Sequence, residues 1–276
     1  MFRRKPEVSA GIARHPDFAY LSGDSIYMDS ACQSLRPQPV ITALTSYFTQ
    51  YNACGGRAKY AWGTQVDREV AETRAAVLRL LGLSARSHAV SFTLNTTYGL
   101  NLLLQQLPHG VYNRIVTSHT EHNSVFLSTI TAATRLGVER VVLERAPDGS
   151  VSYTPAQVER AVVVVNATSN VDGTHLGNLA QLVDDTHKRG GIVILDAAQT
   201  MAHSASLLTG TKADAICFSG HKMYGASLGV IVTSLSLLQS LEISFVGGGM
   251  VSDVREDSFD LLASEPGALL EPGLQA

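Results

Sequence analysis

Beyond residue ~85 the chain alternates short runs rich in Val, Ile and Phe with longer stretches whose apolar residues recur at helical spacing. That alternation predicts an α/β fold built on a mostly parallel sheet. Seven strands are predicted: "HAVSFT" (88–93), "RIVTS" (114–118), "VERVVLE" (138–144), "AVVVVN" (161–166), "GIVILD" (191–196), "AICFS" (215–219) and "GVIVTS" (229–234). "AVVVV" and "IVIL" are continuously apolar, the pattern of strands covered on both faces. Helices are predicted over 38–51, 67–83, 97–107 and 178–190, the second and last ending on glycine.

This divides the chain into an irregular N-terminal arm with one helix (1–60), a main domain (61–260) and a short remainder (261–276). The remainder ends "EPGALLEPGLQA" and is predicted to close no element. It reads as the truncated start of a further region.

Composition narrows the field. At 45% hydrophobic and 16% charged, the chain can bury a sizeable core. Its net charge of −3 comes without a basic stripe, which argues against nucleic acid as a partner. No apolar window is long enough for a membrane span, and the basic start has no apolar run after it. Cys32, Cys54 and Cys217 are an odd set with no C-x-x-C pair. A cytoplasmic, reducing location is expected, with no disulfide framework and no metal site.

Open parallel sheets bind ligands at the carboxyl ends of their strands. Thr96 and Thr97 follow the first strand and open a helix, where hydroxyls and free N–H groups make an anion site or a simple cap. His119 and His122 follow the second strand, and Asn170 follows the fourth. Asp196 ends the fifth after four apolar residues, so it is expected to be buried. It needs a donor or cation there, or else serves as a helix cap. Gln199 stands three residues on. The sixth strand runs into "SGHK", which puts Ser219 and His221 beside Lys222, one of five lysines in the chain. A loop lysine is ordinarily solvated. A lysine, a carboxylate and an anion site at neighbouring strand ends nevertheless suit pyridoxal 5'-phosphate. Lysine takes its aldehyde, the anion site its phosphate, and the carboxylate keeps the ring nitrogen protonated.

The ordered series "MDSA", "NTTYGLN", "EHNS", "SNVDG", "DAAQ", "SGHKMYG" and "VGGGMV" resembles the class V aminotransferase family, nearest its cysteine desulfurase and selenocysteine lyase branch. The resemblance implies the large domain of a fold-type I enzyme and a homodimer with its site at the subunit interface. It implies Lys222 as the Schiff-base lysine, Asp196 as the pyridinium partner, and Gln199 and Asn170 near the ring hydroxyl. His122 would stack on the ring, and Thr96 or Thr97, Ser219 and His221 would hold the phosphate. A cysteine desulfurase- or desulfhydrase-like C–S lyase acting on a small amino acid is the implied activity. Aminotransfer, epimerisation and a non-catalytic partner subunit stay open, because the same motifs serve them.

Departures from the family bear on catalysis. The family's C-terminal small domain, with its cysteine loop and substrate arginine, has no counterpart in these residues, and a separately encoded domain is one way to supply it. Leu274 stands where the family has a phosphate-binding threonine. Arg57 is a loosely matched counterpart of a family arginine. Cys217 is read as core, and neither Cys32 nor Cys54 matches the family's catalytic cysteine.

Overall fold

The computed structural model describes residues 15–21, 26–56 and 60–273. Arg57 and Leu274 lie outside the described residues. The predicted strands form one sheet: β1 (His88–Thr93), β2 (Arg114–Ser118), β3 (Glu139–Leu143), β4 (Ala161–Asn166), β5 (Ile192–Asp196), β6 (Ala215–Ser219) and β7 (Gly229–Ser234). Their spatial order is β1-β7-β6-β5-β4-β2-β3. β7 runs antiparallel to both of its neighbours, and every other pairing is parallel.

The pleat explains the unbroken apolar runs. Val163 and Val165 join Val193, Leu195, Ile216 and Phe218 in the core on one face. Val162, Val164, Ile194 and Cys217 belong to the core on the other. Cys217 is fully buried there, as the sequence suggests. The first face is covered by α2 (Ala61–Leu80) and α5 (Leu179–His187), through Leu78 and Leu182. The second is covered by α3 (Thr96–Gln105) and α4 (Asn123–Leu136), through Leu100, Leu103, Val125 and Ala132. Among the described residues no helix is long and apolar enough to cross a membrane.

Two expectations need correction, and one hairpin was not expected. α2 starts at Ala61 rather than at 67 and stops at Leu80 rather than at 83. The glycine stop itself is real: Gly82 takes φ +64, and Leu83 N–H reaches back to Leu78 O at 2.9 Å, closing the last turn. The C-terminal stretch does close an element. Pro266–Leu270 forms a 3-10 turn against β1, with Leu270 fully buried. Ser91 Oγ donates to Gly267 O at 2.6 Å, and a Cβ on Gly267 would lie 2.3 Å from Val90 O. Finally, β8 (Val251–Val254) and β9 (Phe259–Leu261) make a hairpin that the charged sequence did not announce.

Candidate active site

A cavity of about 530 Å³ opens where the parallel strands end. All the residues predicted from sequence line it: Thr96, Thr97, His122, Asn170, Asp196, Gln199, Ser219, His221 and Lys222. His119 is not among them. It pairs with Glu144 at 3.3 Å on the exposed surface.

One corner is built from hydroxyls. Asn95 caps α3, its Oδ1 accepting Tyr98 N–H at 2.9 Å, so the threonines behind it are not spent on capping. Thr96 Oγ1 lies 2.6 Å from Ser219 Oγ, which also accepts Thr96 N–H at 2.9 Å. Thr97 Oγ1 lies 2.6 Å from Ser124 Oγ. Gly229 permits this approach: it sits between Thr93 and Ser219 in the sheet, and a Cβ there would come within 2.6 Å of the Asn95 backbone. Hydroxyls at a helix N-terminus suit an anion.

Asp196 stands on the floor at the end of β5, 5% exposed. Its Oδ1 accepts Ala198 N–H at 2.9 Å, the first N–H of the short helix α6 (Ala198–His203), while Ala197 rather than Asp196 holds the N-cap position. Burial pushes its carboxyl above the usual range, while Ala198 N–H, His122 and Lys222 pull the other way. No salt bridge reaches it among the described residues. A buried carboxylate facing a cavity without a cation on contact fits a protonated ring nitrogen as its missing partner.

His122 caps α4, its Nδ1 accepting Ser124 N–H at 3.1 Å. In the neutral ring that leaves the proton on Nε2. Gln199 Nε2 donates to Ala31 O at 2.7 Å, tying the N-terminal arm to the cavity wall. Burial, with Lys222 and Arg36 nearby, lowers the His221 pKa and favours a neutral imidazole. Lys222 is half-buried, and its amine has neither a hydrogen bond nor an ion pair among the described residues. Hydroxyl corner, buried carboxylate and unengaged amine thus fit pyridoxal phosphate in the order phosphate, ring nitrogen, aldehyde.

The Aminotransferase class-V family model matches residues 26–269. The chain belongs to the class-V aminotransferase family. A probable cysteine desulfurase of Methanothermobacter thermautotrophicus is 33% identical over 248 residues, covering 86% of this class-V chain and 60% of the relative. The apo cysteine desulfurase of Thermococcus onnurineus NA1 shares the fold with a TM-score of 0.80 at 29% identity, over 91% of this chain and 63% of that one. A C-DES variant with glycine covalently linked to its PLP cofactor matches at TM-score 0.75 and 18% identity, over 90% of this chain and 66% of that one. The fold is that of the fold-type I pyridoxal-phosphate transferases. The class-V chain spans 60–66% of the length of these proteins.

Residues the sequence reading passed over brace the cavity wall at Asn166. Glu121 is 8% exposed and staples two strand ends. Its Oε1 accepts from Ser118 Oγ at 2.5 Å and its Oε2 from Asn166 N–H at 2.6 Å. Arg145 Nη1 donates to Asn166 Oδ1 at 2.6 Å. Burial raises the Glu121 pKa from 4.5 to about 7 against these donors. The motif "EHNS" contained the glutamate, yet only the fold shows it turned inward. Cys32 also lines the cavity, whereas Cys54 does not.

Proposed function

We propose that this chain is the cofactor-binding large domain of a pyridoxal-phosphate enzyme that cleaves the C–S bond of a small amino acid, as a cysteine desulfurase or desulfhydrase does. The observation that carries the reading is the meeting of Lys222, Asp196 and the Thr96–Ser219 hydroxyl pair in one cavity. Desulfurase relatives at 33% and 29% identity support the branch.

Pyridoxal phosphate, when bound, supplies an aldehyde for amine exchange and a ring that takes up the electron pair left at Cα. Thr96, Thr97, Ser219 and His221 would hold its phosphate, as hydroxyl, N–H and neutral imidazole donors. Asp196, buried at the end of β5, would keep a proton on the ring nitrogen through a charge-assisted contact. His122 would hold the ring by stacking, and Asn170 and Gln199 line the wall beside it. Lys222 would hold the aldehyde. Once displaced by the incoming amino acid, its amine would stand where a base for the Cα proton is needed. In this reading the enzyme works in the cytoplasm as a homodimer, and its partner is a small amino acid.

The test is product analysis with L-cysteine and added cofactor. Sulfide or protein-bound sulfur, dependent on Lys222, is the expected result. A keto acid formed without sulfur release would move the assignment to aminotransfer. Racemised cysteine would move it to epimerisation.

A further inference from the structure

The N-terminal arm does more than wall the cavity. Ser34 is 2% exposed and lies far from Lys222 in sequence, yet it bonds on both sides of it. Ser34 N–H donates to His221 O at 2.9 Å, and Ser34 Oγ donates to the same carbonyl at 3.0 Å. Arg36 Nη1 adds a third donor to that oxygen at 3.2 Å. Tyr224 N–H donates to Ser34 Oγ at 2.6 Å.

The His221 carbonyl belongs to the peptide unit that carries the Lys222 N–H. Three donors on one carbonyl fix the plane of that unit. Tyr224, two residues beyond the lysine, has φ 63, a left-handed conformation that a tyrosine rarely adopts without outside support. The Ser34 hydroxyl supplies that support. It uses its single proton on one side of Lys222 and a lone pair on the other.

We propose that Ser34 is a positioning residue for Lys222, its hydroxyl bridging the backbone on both sides of the lysine and so setting the direction in which the amine enters the cavity. The proposal rests on the reading of Lys222 as the residue that holds the cofactor's aldehyde. Alanine at 34 removes the bridge and leaves Tyr224 N–H without its acceptor. The methylene stays in place, so packing changes little.

The experiment titrates pyridoxal phosphate into the wild-type chain, Ser34→Ala, Arg36→Ala and Thr186→Val. It reads the dissociation constant, the pH midpoint of the visible cofactor band, and thermal stability. Thr186→Val is the control: its buried hydroxyl bonds Leu182 O at 2.7 Å on α5, away from the cavity lining. Ser34→Ala is expected to weaken cofactor binding about tenfold and to move the pH midpoint. Arg36→Ala keeps the hydroxyl bridge, so the same changes are expected in smaller degree. Thr186→Val is expected to lower melting temperature alone. A Ser34→Ala protein with wild-type affinity and midpoint overturns the proposal and leaves the cofactor reading standing. Should Ser34→Ala fail to fold, Ser34→Cys takes its place: its thiol is a weak donor and acceptor, and wild-type affinity and midpoint in that variant overturn the proposal instead. A wild-type chain that gives no band at saturating cofactor overturns the cofactor reading and this proposal together.

Discussion

Glu121 Oε2 accepts the backbone N–H of Asn166 at 2.6 Å, joining the loop after β2 to the last residue of β4. Asn166 is in turn the register partner of Asp196 on β5. A buried carboxylate thus holds one wall of the cavity one strand away from the carboxylate on its floor.

That arrangement makes stability depend on pH with a definite sign. The Glu121 pKa rises from 4.5 to about 7 on burial, so the folded state binds its proton more tightly than the unfolded chain. The contribution is full below about 4.5 and is lost as pH rises through about 7. Glu121→Gln keeps an acceptor for Asn166 and stays neutral throughout. Relative to this variant, wild type is expected to lose on the order of 3 kcal/mol across that window. Melting curves at a series of pH values check it, and parallel curves for the two proteins count against it.

Asp196→Asn separates the hydrogen bond this residue accepts from its charge. Asparagine still offers Ala198 N–H an oxygen, so thermal stability is expected to hold or rise as a buried charge is removed. Turnover of cysteine is expected to fall by about 100-fold or more, because a neutral amide does not keep the ring nitrogen protonated. Steady-state rates together with a melting curve decide it. Equal loss of both would make Asp196 a structural residue only.

Gly229→Ala tests the close approach behind the hydroxyl corner. The new Cβ would stand 2.3 Å from Thr93 Oγ1 and 2.6 Å from Asn95 backbone atoms. Separation of α3 from β6, a loss of about 1–3 kcal/mol, and weaker cofactor binding are the expected results by denaturation and spectral titration.

The C-terminal turn is pinned by Arg74 and Glu271. Their side chains meet at 2.7 Å, and the other Glu271 oxygen accepts Phe92 N–H at 2.6 Å. Glu271→Ala leaves a half-buried guanidinium and a strand N–H unpaired. A loss of about 2–4 kcal/mol is expected in chemical denaturation. A loss near zero would mean that the turn does not support β1.

The sheet was legible in the sequence because its strands are covered on both faces. Val162 to Val165 must be apolar at every position, whichever core each one faces, and such runs leave little choice of element. The residues lining the cavity followed from the rule that strand ends bind ligands. Glu121 and Ser34 did not. A glutamate in a histidine-rich loop and a serine in an irregular arm look solvated until the chain brings Asn166 and His221 to them. Glu271 was hidden for the same reason: its proline- and glycine-rich surroundings read as a tail, and Arg74 lies on a helix far from it in sequence. The early start of α2 escaped notice because Tyr60, its N-cap, makes no side-chain capping bond.

The most direct measurement is a spectral titration of wild-type and Lys222→Ala proteins with pyridoxal phosphate, followed by borohydride reduction and peptide mapping. A visible band in wild type alone, with the reduced cofactor attached at Lys222, is the predicted result. An identical band in both proteins, or attachment at another lysine, would contradict the account.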